Sequence, residues 1–351
     1  MPKFIDVYFP LSNYGTIEKR KQSLGEFLTN NPLIIKSPTG EYKLFKYLAS
    51  GAFGDVFAAN KDGNILALKI SAATTANNNE AIAYKAITPK CGAYMLCLLD
   101  AFNYTIGNKT WLVLVQPLMN GDLENISPSF EDTGFLLWNL LQAVDCMYSL
   151  GIAHLDIKPE NIFYKKVKVS DDYDNIYKLG DPGLACSNNK MIGLNLCSIH
   201  GTFIPPNLIY KAMYLSEPIT LEKAHAIDLW AIGATIYDLL QRLDYYREED
   251  MDKIDSSVTE SLVNREEFLA YENRILPDEV LRTKFTRRVS ENTPIYLNQS
   301  TIENALATLL DYKTPRTARQ VLRQIVRDQK WAKPGEEDSY IDKNKRKSDC
   351  L

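Results

Sequence analysis

Short apolar pieces separated by turn residues run from Tyr42 to about Leu118. YKLFKYLAS, DVFAA and NILALKI have strand length, and SGAFG and NKDGN between them are turn material. YMLCLLDAF (94–102) and TWLVLVQPL (110–118) have the continuous apolar texture of buried strands. After GDL (121–123) the period lengthens. FEDTGFLLWNLLQAVDCMYSLG sets Phe135, Trp138, Leu141, Val144 and Tyr148 at helical spacing, with Gly151 as a stop. AIDLWAIGATIYDLLQRL (226–243) predicts a second, more apolar helix, and ENALATLLDY and TARQVLRQIV predict two more. Residues 1–41 show no long period, and SPTGE (37–41) reads as a turn; this part is expected to be an N-terminal extension packed on the body. Residues 244–300 are charged, with solvated helix faces and a loop as the plain reading, and 331–351 read as a charged tail with a disordered end. The pattern predicts an α+β chain with a strand-rich lobe over 42–118 and a larger helical lobe over 119–330, without internal repeats.

Composition changes this picture little. A chain of 351 residues with 45% apolar and 24% charged residues has room for a bilobal unit with a large core. A formal charge of −4 gives no reason to expect nucleic acid or an anionic membrane as partner, and no apolar run reaches the length of a membrane span. The start, MPKFIDVYFPLSN, lacks the long apolar stretch of a signal peptide. Six cysteines at irregular spacings, without a CxxC pair, read as reduced thiols of a cytosol-like compartment; a cytoplasmic protein is expected. KNKRKSDCL at the end adds a short basic patch compatible with nuclear import.

The chemistry begins at LASGAFGDVF (48–57). Gly51 and Gly54 between two strands suit a hairpin whose backbone approaches a phosphate chain closely. Lys69 lies inside the apolar strand LALKI, where a lysine needs a reason. Further on, AHLDIKPENIF (153–163) gathers a histidine, two acids, a lysine and an asparagine, and KLGDPGLA follows.

Taken together, these segments resemble the eukaryotic-type Ser/Thr protein kinase family over about Tyr42 to Val326, with some likeness to its casein-kinase-like branch. GTFIPPN (201–207), DLWAIG (228–233) and KTPRTA (313–318) resemble the end of the family's activation segment, its Asp-x-Trp-x-x-Gly helix and its late arginine. The fold implied is bilobal, with a small antiparallel sheet carrying one key helix and a larger, mainly helical lobe. The activity implied is transfer of the ATP γ-phosphate to a protein Ser/Thr hydroxyl with Mg²⁺ or Mn²⁺. By this resemblance Lys69 holds the α- and β-phosphates and pairs with Glu80, the only acidic residue between Lys69 and Asp100. Asp156 accepts the hydroxyl proton, Lys158 neutralises the transferring group, Asn161 and Asp181 ligate the metal, and Thr202 ties the activation segment to Asp156 and Lys158. Gly51 and Gly54 belong to the hairpin over the phosphates, Val56 and Ala67 cover the adenine faces, Val115 guards the rear pocket, and Gln116 to Leu118 offer backbone groups, although Pro117 lacks an N–H.

The chain departs from the family pattern at four places. Ala49 replaces the first glycine. Leu155 replaces the arginine that receives an activation-loop phosphate, so the loop is expected to be ordered by packing. Pro182 replaces a phenylalanine, filling less of the stack with His154 and Tyr84 and biasing Asp181 towards extended dihedrals. Asn207 replaces a glutamate, which leaves Arg316 in need of another acceptor or of exposure. All groups expected to touch ATP, metal or hydroxyl are retained, which favours an active kinase. The alternatives are a pseudokinase scaffold that binds protein partners, a small-molecule kinase, and an interaction protein working through the 244–300 segment. The protein substrate and oligomeric state have no signal in the sequence.

Overall fold

The structure, a computed structural model, describes residues 4–8, 16–30, 33–51, 54–124, 126–169, 172–199, 201–205, 208, 218–241, 297–311, 314–345 and 350. Most of the charged 244–300 segment, with Ala52, Phe53, Pro206 and Asn207, lies outside these residues.

Six antiparallel strands form the small lobe: β1 (Leu33–Ser37), β2 (Gly40–Gly51), β3 (Gly54–Lys61), β4 (Asn64–Ala72), β5 (Asp100–Ile106) and β6 (Lys109–Pro117). Their order in the sheet is β1-β2-β3-β4-β6-β5. The added strand β1 precedes Tyr42, and Ser37 pairs with Gly40 across the predicted turn. Two N-terminal helices, α1 (Ile5–Tyr8) and α2 (Ile17–Asn30), complete the extension. Phe4, Leu24 and Leu28 are buried with Phe57, Trp111 and Val113 on the outer face of the sheet. The backbone N–H of Ile5 donates to the carboxylate of Asp55 on β3 at 2.8 Å. The extension therefore closes the outer core that the sheet would otherwise expose.

Helix α3 (Thr75–Cys91) crosses the inner side of the sheet. Its sequence, TANNNEAIAYKAITPKC, has only a shallow apolar period, so its helical state rests on local chemistry and packing. Thr74 is the N-cap, accepting the Asn77 N–H, and Pro89 stands in the final turn. Ala81 and Tyr84 pack against Leu96, Leu112 and Leu114 beneath the sheet.

The large lobe contains α4 (Phe130–Ser149), α5 (Leu221–Gln241), α6 (Gln299–Leu309), α7 (Ala318–Asp328) and α8 (Glu337–Lys343), with a small sheet of β7 (Gly121–Asp122), β8 (Ile162–Val169) and β9 (Asp172–Leu179) at its upper edge. The periodic residues Trp138, Leu141 and Val144 of α4 are buried, Phe135 packs against the same core, and Gly151 ends the turn at φ +72°. Helix α7 opens with a capping box between Thr317 and Gln320 and buries Val321, Leu322, Ile325 and Val326.

Two sequence expectations are overturned here, that of one strand over YMLCLLDAF and that of reduced cysteines. YMLCLLDAF is not one strand: Met95 to Leu99 run as a mostly buried coil that hydrogen-bonds to β9 and β6, and strand geometry starts only at Asp100. Hydrophobic runs alone do not separate a buried coil from a buried strand. The charged tail is described from residue 331 to Lys345 and packs on the body, while most of the end expected to be disordered lies outside the described residues. Trp331 meets Trp138 edge-on and stacks on Tyr340, Ile341 is fully buried, and Arg319 and Arg323 of α7 grip Asp338 and Asp342 of α8. The aromatic anchors outweigh the charged composition. The six cysteines are not reduced thiols. They form Cys91–Cys146, Cys97–Cys350 and Cys186–Cys197, separated by 55, 253 and 11 residues, so only the folded chain reveals the pairs. Paired cysteines give no support to a cytosol-like compartment.

Candidate active site

A cleft of about 510 Å³ opens between the sheet and the large lobe. Its roof is made by Ala49, Gly54, Val56, Ala67 and Lys69, its rear by Glu80, Tyr84 and Gln116, and its floor by Asn161, Phe163 and Asp181. Gly54 has φ +145°, and a Cβ there would sit 2.6 Å from the Ile70 carbonyl, so glycine is required for the close pairing of β3 with β4. Gly51 stands opposite Gly54 across the hairpin.

Lys69 on β4 is nearly buried, and its ammonium lies 2.9 Å from Glu80 and 3.0 Å from Asp181. Burial by itself would depress the lysine pKa; the two carboxylates outweigh it and hold the group well above its usual range. For Asp181 burial works in the opposite direction, and the Lys69 ammonium keeps the carboxyl below its usual value. Lys69 is thus a fixed cation aimed into the cleft.

Asp181 is left-handed, at φ +51° and ψ +62°, and not extended as the following proline would favour. Its N–H donates to the Tyr84 hydroxyl at 2.9 Å, and its carboxylate is held by Lys69. Those anchors override the local preference.

Below, the loop that precedes β8 gathers the remaining groups. The Asp156 carboxylate lies 3.4 Å from the Lys158 ammonium and 3.4 Å from the Thr202 hydroxyl, while Lys158 reaches that same hydroxyl at 3.3 Å. Asn161 donates to the Asp156 carbonyl at 2.7 Å and to its carboxylate at 2.8 Å. Both amide protons are spent on oxygens, so the amide oxygen remains as an acceptor. His154 is buried and neutral in character: desolvation lowers its pKa, Nε2 donates to the Gly180 carbonyl at 3.0 Å, and Nδ1 accepts the Asp156 N–H at 3.3 Å.

The loop backbone hangs on Asp228 of α5, which accepts the N–H groups of His154 (2.8 Å) and Leu155 (2.7 Å). Burial pushes the Asp228 carboxyl up to about 7, against the pull of those two bonds. They hold Leu155 at φ +63°, an uncommon conformation for leucine. The Leu155 side chain is 2% exposed and packs with Ala153, Cys186, Cys197, Ile199 and Ile227. Gly201 presses against it: a Cβ on Gly201 would lie 2.2 Å from the Leu155 carbonyl. Arg316 is exposed on the rim of a second cavity of about 440 Å³ and makes no ion pair among the described residues.

One expected site residue points elsewhere. Val115 is buried with Phe57, Trp111 and Val113 in the outer core, because Trp111, Val113 and Val115 share one face of β6. Leu112, Leu114 and Gln116 take the other face, and Gln116 stands at the rear of the cleft. The strand period itself carried this signal. Leu118 lines the cleft together with Met119.

The fold and this arrangement define a two-lobed protein whose cleft is walled by a buried lysine paired with two carboxylates. The protein kinase domain model matches residues 42–329, and this chain belongs to the eukaryotic-type Ser/Thr protein kinase family. It is 24% identical over 298 residues to an Aurora kinase of Candida glabrata, covering 80% of this chain and 75% of that protein. Against a calcium/calmodulin-dependent protein kinase type 1B of Rattus norvegicus it is 27% identical over 223 residues, covering 59% and 60%. Against cyclin-dependent kinase 7 of Xenopus laevis it is 27% identical over 247 residues, covering 63% and 62%. Apart from the Aurora kinase, the chain thus spans about three fifths of these relatives.

Proposed function

We propose that this chain is a catalytically active protein kinase that moves the γ-phosphate of ATP to Ser/Thr hydroxyls of a protein, without needing a phosphate on its own activation segment. The observation that carries the reading is a pair of contact groups, Lys69–Glu80–Asp181 at 2.9–3.0 Å and Asp156–Lys158–Asn161–Thr202 at 2.7–3.4 Å, that meet at one cleft where Asn161 and Asp181 share the floor. A pseudokinase scaffold has no need of this complete set.

The donor set suits the cofactors. Lys69 is a permanent cation at the cleft wall and suits phosphate oxygens. The Asn161 amide oxygen and the Asp181 carboxylate are hard oxygen donors on one floor, the type that Mg²⁺ accepts alongside phosphate oxygens. When bound, the metal supplies charge neutralisation of the phosphates. The protein residues do the rest. Asp156 orients the acceptor hydroxyl and takes its proton, Lys158 offsets charge on the transferring group, and Thr202 keeps both in register. Gln116 bounds the adenine pocket at the rear, with the backbone of Pro117 to Met119 along its edge. Leu155 supports the regulatory part: a side chain buried in an apolar cluster has no capacity to receive a phosphate.

Thermal melting with ATP, and with ATP plus Mg²⁺, tests the reading. At a hundredfold excess over Kd the ligand contributes about 2.7 kcal/mol. The expected result is a shift that requires Mg²⁺ and disappears in Asp181→Asn. No shift under either condition would favour the scaffold.

A further inference from the structure

Asn79 precedes Glu80 on α3 and is 3% exposed. Its Nδ2 donates to the carbonyls of Gly183 (3.0 Å) and Ala185 (2.9 Å), and its Oδ1 accepts the N–H of Asn195 at 3.0 Å. The amide orientation follows from the partners, since two carbonyls must face the NH₂ and one N–H must face the oxygen. The partners belong to both limbs of the activation segment. Gly183 and Ala185 lie in the turn that leaves Asp181, whereas Asn195 lies on the returning limb. The limbs are themselves joined, by the Ser187 N–H to the Asn195 carbonyl at 3.0 Å and by the Cys186–Cys197 disulfide. Cys186 in turn exchanges two backbone hydrogen bonds with Ala153, two residues before Leu155.

We propose that Asn79 is a positioning residue for phosphoryl transfer. It locks α3 to the cross-linked activation segment and so fixes Glu80, Lys69 and Asp181 in their transfer geometry. A phosphate received by an arginine would tie such a segment down from outside; here a buried amide does it from the helix. The proposal rests on the reading of the cleft as an ATP-dependent transfer site and names how that site is held assembled.

The test is a cycle of kinetic variants. Transfer from ATP–Mg²⁺ to a generic Ser/Thr acceptor is measured for the wild type, Asn79→Ala and Asn79→Asp, each in the Glu80 and Glu80→Gln backgrounds, with melting temperatures alongside. Asn79→Asp keeps the shape and the acceptor for the Asn195 N–H but loses both donors, and it serves if the alanine variant fails to fold. Either variant is expected to lower kcat/KM for ATP about ten- to hundredfold in the Glu80 background. In the Glu80→Gln background the further loss is expected to stay below about threefold, because the Glu80–Lys69 ion pair that couples α3 to Lys69 and, through it, to Asp181 is already broken. Unchanged kinetics, or the same fold-loss in both backgrounds, overturns the proposal, since a merely structural residue gives additive losses. A wild type that binds ATP–Mg²⁺ without transferring phosphate overturns the functional reading alone, and Asn79 is then judged by the same cycle on ATP–Mg²⁺ affinity. A wild type that binds no ATP–Mg²⁺ overturns both.

Discussion

Truncating Leu155 to alanine removes the side chain that fills the apolar cluster behind the activation segment. The residue is 2% exposed, and eight other buried residues, from Ala153 to Ile227, line the same cluster. Leu→Ala at buried sites costs about 2–5 kcal/mol, according to how far the surroundings collapse. Alanine at φ +63° is no less strained than leucine, so no backbone relief offsets the loss. With part of the cluster on a segment that can settle inward, about 2–4 kcal/mol is expected, or about 3–5 °C in Tm for a chain of this size. If the segment opens separately from the rest, kcat falls while the melting temperature stays closer to the wild type. Thermal melting and steady-state transfer, each before and after phosphatase treatment, read both outcomes. Wild-type activity is expected to survive the phosphatase. A Leu155→Ala protein with unchanged Tm and kcat, or a wild type silenced by phosphatase, would refute the reasoning.

Two other perturbations follow from the same structure. His225 stacks on Tyr148 at 4.1 Å, accepts the Ala318 N–H, and is pushed down by burial to about 4. The unfolded chain, titrating near 6.5, therefore binds more protons between pH 6.5 and 4, and stability drops as pH falls through that window by about 3 kcal/mol. His225→Asn should flatten that part of a stability-versus-pH curve measured in urea; an unchanged slope would contradict the assignment. All six cysteines are paired. Thiol titration of the denatured, unreduced protein should find none, and reduction should lower Tm, with loop-closure contributions of about 3 kcal/mol for the 11-residue separation and about 4 for the 55-residue one. Six titratable thiols before reduction would refute the pairing.

The lobes and most of the site were legible because their signals are local. Lys69 stands out in an apolar strand, and Asp156 and Asn161 share one loop. What the sequence hid depends on contacts between distant segments. Asn79 lies in a run of asparagines with no period, and only its partners 104 to 116 residues away distinguish it. The cysteine pairs are hidden for the same reason. Val115 is different, because its signal is local: the alternation of β6 puts it on the outer face, and family spacing misplaces it where strand parity would not. For Asp181 the local preference of a residue before proline was real, but the Tyr84 and Lys69 bonds outweigh it.

The central claim is that this cleft transfers phosphate through Asp156. Incubation with radiolabelled ATP and Mg²⁺ on a generic Ser/Thr acceptor, with wild type beside Asp156→Asn, tests it most directly. Labelled acceptor is expected with the wild type and none with Asp156→Asn, while both proteins keep a Mg²⁺-dependent ATP shift. Equal labelling by the two proteins would contradict it.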